Sequence, residues 1–312
     1  MASTLAPCTL SSGHYHFGVG ALANSLYRSG FRGTLHVGYE PPLPPWARTV
    51  RQDGERARLE VEPDFFIDFT PWPSRHVLSV EKANFLLHVL DEAAPEATAG
   101  LFFDADVVVT AGWRFFEGWL EEGVALCLDN CYPLVPSGHP WRRGWRDLAT
   151  AAGHGATRAL DHYVNSSFVG VPRAHREVAA CWAALIAQYL RQQPGTIDKV
   201  TFGPRETAFT GDQDMLNAAL MATAAPLSIV GPEGLGFNGS GFMVMSAMVD
   251  PVKPWQKNFL ASALRGSPPG MPDKLYWRYA DGPIPLFGRG RLAAARAALR
   301  AASAIGRFYS RN

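Results

Sequence analysis

In residues 101–109, two apolar runs flank an acid-x-acid step. The Phe and Val residues of this stretch favour a strand, and the runs are too short for a helix. Because side chains alternate along a strand, we expect Asp104 and Asp106 to point one way and Ala105 the other. Two carboxylates at the end of a buried strand repel each other and are costly to desolvate, and a hard divalent cation relieves both effects. The stretch therefore predicts a metal site; the alternative is a strand end with two solvated acids.

Hydrophobic periodicity predicts that strands and helices alternate on both sides of this stretch. This alternation is typical of an α/β protein, and we expect a mixed, mostly parallel sheet with helices on both faces and a C-terminal helical tail. The predicted strands are 7–10, 33–39, 101–109, 124–128 and 164–171, with weaker candidates at 59–61 and 65–68. The predicted helices are 17–29, 79–90, 113–121, 175–190 and 211–221.

Net charge, apolar runs and cysteine spacing argue against several classes of function. The net charge of +1 and the absence of a basic stripe interleaved with aromatic residues argue against a nucleic-acid partner. The N-terminus has neither the basic segment nor the apolar core of a signal peptide, and no run reaches the ~18 apolar residues of a spanning helix. The four cysteines do not have zinc-site spacing, and reduced thiols suit the cytoplasm; they are Cys8, Cys127, Cys131 and Cys181.

Two segments depart from the regular pattern. Residues 129–163 are predicted to be a long irregular segment, either a surface excursion or a substrate loop, because Trp and His suit stacking on sugar faces. Residues 289–312 are predicted to be a basic amphipathic helix, which can lie on an anionic membrane or pack on its own domain. Its apolar positions are Leu292, Ala295, Leu299, Ala302 and Tyr309, and its arginines are Arg289, Arg296, Arg300, Arg307 and Arg311.

Three motifs taken together resemble glycosyltransferase family 8. Asp104-Ala105-Asp106 resembles the DxD motif of GT-A glycosyltransferases, residues 211–217 (GDQDMLN) resemble the family's DQDxLN helix start, and residues 253–255 (KPW) resemble its C-terminal KPW. Asn165 with Ser166 is similar to its N-A/S-G segment. The motifs occur in the family's order over residues 5–258. The resemblance implies a GT-A (Rossmann-like) domain over 1–258, with 129–163 as a candidate acceptor loop and 259–312 as a C-terminal extension.

The resemblance also implies an activity and a set of site residues. The implied enzyme is a metal-dependent, retaining glycosyltransferase that moves a sugar from a nucleotide-sugar donor, with UDP favoured, to a glycan, lipid-linked or natural-product acceptor. Asp104 and Asp106 would hold Mn²⁺ or Mg²⁺ at the carboxyl end of a strand, where open α/β sheets bind ligands. Gln213 would lie beside the reacting carbon, and Asp214 would contact the donor sugar. The implied donor-binding residues are Leu10, Ser12, Tyr15, Lys82, Asp104, Ala105, Asn165, Ser166, Asp212 and Lys253.

Two positions depart from the family pattern. Ala247 stands where the family has a histidine as its third metal ligand. Asp250, in place of a glycine, offers a carboxylate, which is an acceptable hard ligand, so it is the candidate third ligand. Ser12 stands where the family has an acidic contact to uracil, which leaves the donor nucleotide open.

Two alternative functions remain at this point. A haloacid dehalogenase-like phosphatase would use Asp104 as nucleophile and Asp106 as general acid, but its motif normally opens the domain, whereas a strand-helix-strand unit precedes it here. With Ala247 in place of the histidine, a nucleotide-sugar-binding pseudoenzyme is the second alternative. Polysaccharide assembly is the family's usual bacterial setting, so we expect a cytoplasmic protein, with the tail as a candidate contact to the inner face of the membrane.

Overall fold

A computed structural model describes residues 4–48, 50–53, 56–193, 195–204, 206–237 and 243–308. The chain alternates strands and helices through most of its length, as the periodicity predicts. The strands are β1 (Leu5–Ser11), β2 (Gly33–Tyr39), β3 (Arg51–Asp53), β4 (Arg56–Glu62), β5 (Phe65–Pro71), β6 (Ala99–Phe103), β7 (Val107–Val109), β8 (Val124–Leu128), β9 (Val164–Pro172), β10 (Leu227–Val230) and β11 (Met245–Ala247). The helices are α1 (His16–Ser29), α2 (Lys82–His88), α3 (Trp113–Glu121), α4 (Pro140–Ala151), α5 (Glu177–Gln192), α6 (Asp212–Ala222), α7 (Phe259–Leu264), α8 (Met271–Tyr279) and α9 (Arg289–Ile305).

Nine of these strands form one mixed sheet, in the order β10-β8-β9-β6-β1-β2-β5-β4-β3. Within the described ranges, all of its strands run in one direction except β4 and β9. Alternate side chains feed two cores: Leu101 and Phe103 pack into the core that holds α1, α3 and the C-terminal helices, whereas Phe102 packs into the core that holds α2, α4, α5 and α6. The predicted α/β fold, a mostly parallel sheet with helices on both faces, is confirmed.

The prediction of one continuous strand over residues 101–109 is wrong. The chain leaves the main sheet after Phe103, turns through Asp104, Ala105 and Asp106, and then enters β7, which pairs with β11 in a separate two-stranded sheet. The Val107 amide donates to the Asp104 carbonyl oxygen at 3.1 Å and closes the turn. The two acids therefore lie in a turn between two sheets, and strand alternation does not govern their direction.

The irregular segment predicted at 129–163 contains a helix. α4 begins with Pro140, whose fixed φ suits the first helical position, and the side chain of His139 caps it by accepting a hydrogen bond from the Trp141 amide at 3.2 Å. Its inward face buries Trp145 and Leu148 in the same core as α6. Because Pro and Trp are frequent in this segment, its sequence predicts an irregular structure rather than the amphipathic helix that is present.

The C-terminal segment shares a core with the rest of the chain. Phe259, Ala263 and Tyr276 are buried in the core that also holds α1 and β7. The predicted basic amphipathic helix is present as α9, and its apolar positions Leu292 and Leu299 pack against this core rather than facing outward. Residues 309–312, including Tyr309 and Arg311 of the predicted helix, lie outside the described residues.

Candidate functional site

Polar side chains gather at the carboxyl edge of the sheet, beyond β1, β6 and β8. Asp104 follows β6 directly and Asp129 follows β8 directly. The N-termini of α2 and α6 bring Lys82 and Asp212 to the same place, since Lys82 forms ion pairs with both Asp104 and Asp212. Residues far apart in the chain meet here because parallel strands present their carboxyl ends at one edge.

Lys82 is the cation at the centre of this group. Its ammonium nitrogen lies 2.8 Å from Asp104 Oδ1 and 3.0 Å from Asp212 Oδ2, and it donates to the carbonyl and hydroxyl oxygens of Ser166 at 3.3 Å each. Burial by itself would lower the pKa of Lys82, but the carboxylates of Asp104 and Asp212 outweigh burial and raise it. Burial raises the pKa of Asp212, although Lys82 opposes that shift. The lysine is thus held charged between two acids.

A second lysine, Lys253, lies beside the second acid of the turn. Its Nζ is 2.7 Å from Asp106 Oδ2 and donates to the Met248 carbonyl oxygen at 2.6 Å. The pairing of β7 with β11 brings this segment to the turn, and the Met248 amide donates to the Asp106 carbonyl oxygen at 2.9 Å. Burial raises the pKa of Asp106, and Lys253 opposes the shift. The KPW segment and the acid-x-acid step therefore form one structural unit.

Tyr15 belongs to an aromatic group next to Lys253. The Lys253 Nζ lies 5.9 Å from the centroid of the Tyr15 ring, and the ring of His14 stacks on Tyr15 with centroids 4.8 Å apart. Trp255 Nε1 donates a hydrogen bond to His14 Nδ1 at 3.0 Å, which holds the His14 and Trp255 rings together. Tyr15 is about half buried, and burial raises its pKa while Lys253 acts in the opposite direction. A flat ring beside a lysine suits a planar ligand that carries negative charge.

Gln213 is held in one orientation by two partners. Its Oε1 accepts a hydrogen bond from the Ser166 amide at 3.1 Å, and its Nε2 donates to Asp129 Oδ2 at 3.1 Å. The same oxygen of Asp129 accepts from Asn165 Nδ2 at 2.9 Å. The register of β8 with β9 shifts after the Leu126–Val169 pair, so that Cys127 pairs with Asn165 and residues 166–168, including Ser166, are left unpaired with β8. The predicted residues Asn165, Ser166 and Gln213 therefore lie together.

Asp214 caps its own helix. Its Oδ2 accepts hydrogen bonds from the Thr210 amide at 2.7 Å, the Thr210 hydroxyl at 2.9 Å and the Gly211 amide at 3.1 Å. Its Oδ1 accepts from the Tyr163 hydroxyl at 2.8 Å. The side chain is buried, and its four protein donors give it a structural role at the start of α6. The predicted catalytic role of Asp214 stays a prediction.

The remaining predicted donor-binding residues lie along the same edge. Leu10 is buried near the end of β1, two residues beyond the point where Cys8 pairs with Phe102 of β6. Ser12 follows β1, and its carbonyl oxygen accepts from the Tyr15 amide at 3.1 Å, which closes the turn that presents the Tyr15 ring. Ala105 is buried against α1, where its carbonyl oxygen meets Gly18.

Gly18 lets the Asp104-Ala105-Asp106 turn approach α1. A Cβ at this position would lie 2.0 Å from the Ala105 carbonyl oxygen and 3.1 Å from the Trp255 ring. We expect Gly18→Ala to lower the free energy of unfolding by about 1–3 kcal/mol, because the turn must move to make room. Gly118→Ala in α3 is the control: nothing lies within 4 Å of its Cβ position, so it should gain about 1 kcal/mol. Urea unfolding of both variants measures these changes in the free energy of unfolding. Equal stability of the two variants would contradict the close approach of the Ala105 carbonyl oxygen to Gly18.

The polar side chains at this edge supply some, but not all, of the ligands expected for a divalent cation. Asp104 and Asp106 supply hard oxygen ligands, and a cation such as Mg²⁺ is commonly held by one or two carboxylates together with water and substrate phosphates. Among the residues that the structure describes, no group of three or more His, Cys, Asp or Glu is placed to hold a metal ion. Asp250 forms an ion pair with Lys257 at 2.6 Å and is largely exposed, so it is not brought together with the two acids of the turn. Its role as third ligand stays a prediction.

Asp129 is the residue of this group that the motifs did not identify. It is buried, each of its carboxylate oxygens accepts two hydrogen bonds, and its partners are the amides of Cys131 and Tyr132 and the side chains of Asn165 and Gln213. One signal was available, because an acid directly after a predicted strand stands where Asp104 stands after β6. His14 was missed for a different reason: its contact with Trp255 joins residues 241 positions apart.

A scan against protein-family models and a search of curated proteins give no match to this chain.

Proposed function

We propose that this protein is a metal-dependent glycosyltransferase with a GT-A fold, related to family 8. Its donor is a nucleotide sugar, with UDP as the first candidate nucleotide, and its acceptor is a carbohydrate or glycoconjugate. The observation that carries the proposal is that three motifs distant in the sequence meet at one edge of the sheet: Asp104 and Asp106, the start of α6, and Lys253. If the three motifs resembled the family only by chance, there would be no reason for their residues to lie together in the folded protein.

The charge of the group supports a cation and a phosphate-bearing ligand. Asp104, Asp106, Asp129 and Asp212 stand against two ammonium groups, so the ionised group has an excess of two negative charges. An anionic diphosphate would be repelled by this excess, and a divalent cation offsets it. Asp104 and Asp106 would hold the cation, whose positive charge would stabilise the negative charge that develops on the leaving group.

The protein's own side chains have defined parts in this proposal. Lys253 would contact a phosphate oxygen, and Tyr15 would stack on the base. The bond between the anomeric carbon and the diphosphate oxygen breaks, the acceptor oxygen bonds that carbon on the same face, and its proton passes to the leaving phosphate. Gln213 is neutral and a poor nucleophile, so its fixed amide would position the donor sugar and shape the field around it.

Thermal-shift measurement with a panel of nucleotide sugars, with and without Mn²⁺, tests the proposal. A donor that binds the folded state should raise the unfolding midpoint in the presence of the cation, by the equivalent of about 2.7 kcal/mol at 100 times its Kd. The shift should disappear when the metal is chelated. A cation-independent response, or none across the panel, would contradict the proposal, and binding without sugar transfer would identify a pseudoenzyme. Formation of an aspartyl-beryllofluoride adduct, which mimics an aspartyl phosphate, would instead favour the phosphatase.

The variant Gln213→Ala tests whether the Gln213 side chain positions the donor sugar for reaction or contributes to the affinity for the donor. We expect kcat to fall on the order of 100-fold, the effect of losing one pre-organised polar group, with a much smaller change in donor affinity. Steady-state kinetics together with calorimetry of donor binding measures the two effects. Gln192→Ala, at the exposed end of α5, is the matched control. A loss of affinity with kcat unchanged would show that the assigned role of Gln213 is wrong.

A further inference from the structure

The sequence is strongly asymmetric in charge, although its overall net charge is only +1. Residues 249–308 contain ten lysines and arginines against three aspartates, a formal net charge of +7. Residues 1–248 contain 18 basic and 25 acidic residues, a net charge of −7. The C-terminal segment therefore carries a positive field of its own, opposite in sign to that of the rest of the chain.

The acids of this segment are already engaged within the protein. Asp250 and Asp273 both pair with Lys257, and Asp281 pairs with Arg296. Exposed basic side chains therefore dominate the outer surface of the segment; they include Arg265, Lys274, Arg278, Arg289, Arg291, Arg300 and Arg307. A surface of this kind attracts anionic partners at long range.

The same segment has most of the exposed large hydrophobic side chains of the described residues. Nine such side chains are exposed, and six of them lie in residues 249–308. We call these six the apolar patch: Val249, Val252, Leu260, Leu264, Met271 and Phe308. Exposed apolar side chains that are concentrated among basic residues indicate an interaction surface, whereas apolar side chains that are exposed singly are common on any protein.

Helix α7 shows that this exposure follows from the sequence pattern. Phe259 and Ala263, four residues apart, are 5% and 0% exposed and face the core. Leu260 and Leu264, also four residues apart, are 40% and 65% exposed and face outward. Residues at this spacing share one side of a helix, so α7 presents a second apolar stripe to solvent.

Two sets of contacts connect the segments that carry the patch. Lys257 joins the loop around Asp250 to the start of α8 at Asp273, with distances of 2.6 and 2.7 Å. At the other end, Gly306 lies against Pro268 so closely that a Cβ on the glycine would be 2.4 Å from the proline side chain. Four members of the apolar patch lie within two residues of these contacts in the sequence: Val249, Val252, Met271 and Phe308.

α9 does not contribute its apolar face to this surface. Leu292, Ala295 and Leu299 pack against the core, and Ala302 is fully buried. No described helix is long and apolar enough to cross a bilayer. An interfacial contact of this protein must therefore use α7 and its neighbours for apolar insertion, with the arginines of α9 as flanking charges.

We infer that the apolar patch and the basic residues around it dock on the surface of a bilayer that contains anionic lipid. Basic side chains attract the negatively charged headgroups, and the exposed aliphatic and aromatic side chains enter the headgroup boundary. This combination fits an anionic bilayer better than an acidic soluble partner, which would match the charge but leave six apolar side chains in water. The inference does not depend on the proposed enzymatic activity.

Sedimentation of the full-length chain with lipid vesicles tests the inference. We expect binding to vesicles of phosphatidylcholine mixed with phosphatidylglycerol, little binding to phosphatidylcholine alone, and weaker binding at high salt. Arg265→Gln with Arg300→Gln should weaken binding about fivefold for each charge, on the order of 25-fold for the pair. Leu260→Ser with Leu264→Ser should weaken it by about tenfold or more for each leucine.

Matched controls make the inference falsifiable. Leu134→Ser and Arg114→Gln alter an exposed leucine and an exposed arginine outside the segment and should leave vesicle binding unchanged. If the leucine pair disturbs folding, as circular dichroism would show, Phe308→Ser, at 89% exposure, takes its place. Equal binding to neutral and anionic vesicles, or equal losses in the controls, would overturn the inference. So would patch variants that only convert a dimer to a monomer, because the patch would then be an interface between two copies.

Discussion

Replacing Lys82 with methionine is expected to lower the free energy of unfolding by about 3–5 kcal/mol, the cost of removing one partner of a buried ion pair. Lys82 and Asp212 are almost fully buried, and Asp104 is largely so, with side-chain exposures of 7%, 4% and 24%. Without the ammonium group, two carboxylates face each other with no cation between them. Methionine keeps the volume of the side chain, so the loss reports the charge rather than a cavity.

Urea unfolding of three variants measures this effect. Arg176→Met removes the cation of the exposed ion pair with Asp91 and should cost no more than about 1 kcal/mol. Lys82→Met combined with Asp212→Asn should recover part of the loss, because one of the two uncompensated charges is gone. If Lys82→Met costs as little as Arg176→Met, the group is solvated and the buried network described above is wrong.

The stability of Lys82→Met should also depend on pH in a defined direction. Burial raises the pKa of Asp212 above 3.8 even with the lysine present, and the variant removes the group that opposes this shift. A carboxylate with a raised pKa in the folded state adds stability below its unfolded pKa, and that stability is lost as pH rises through the folded pKa. The deficit relative to wild type should therefore shrink as the pH falls from neutral toward the ordinary carboxyl pKa of 3.8. A constant deficit would contradict the assignment.

Replacing Asp106 with alanine is expected to remove metal-dependent nucleotide binding. Even groups that only orient a metal ligand contribute 10–100-fold to metal affinity, so a direct ligand should contribute at least about 100-fold. The variant also leaves Lys253 without its carboxylate partner at 2.7 Å, which would favour weak binding of phosphate without metal. Calorimetric titration with UDP and Mn²⁺, in either order of addition, separates the two effects.

Asp250→Ala is the control that bears on the third metal ligand. Because Asp250 pairs with Lys257 at the surface, its removal should change the affinity for Mn²⁺ by less than about threefold, in the range of an exposed ion pair. A loss as large as that of Asp106→Ala would show that Asp250 moves into the metal site when ligand binds. Retention of metal-dependent binding by Asp106→Ala itself would reject the proposed metal site.

Local patterns predicted the elements that have clear periodicity and boundaries. β2, α3 and β8 have the predicted bounds because glycine, tryptophan or charged residues mark their ends. α4 was missed although Pro140 marked its first residue, since the surrounding Pro and Trp suggested a loop. The sequence predicts one strand over residues 101–109 because the apolar runs on both sides of the two acids have similar composition. Nothing local indicates that the second run leaves the main sheet to pair with β11.

The α/β class and the alternation that places polar residues at strand ends can be predicted from the sequence alone, as can the separate motifs and the charge asymmetry between residues 1–248 and 249–308. The folded structure was needed to show that Lys82 pairs with Asp104 and Asp212, that Lys253 pairs with Asp106, and that the apolar face of α9 packs against the core. The physical reason is that periodicity records which side of an element is buried. Contacts between residues on different elements, such as Lys253 and Asp106, depend on how sheets and helices pack, and this packing places the two acids in a network with two lysines.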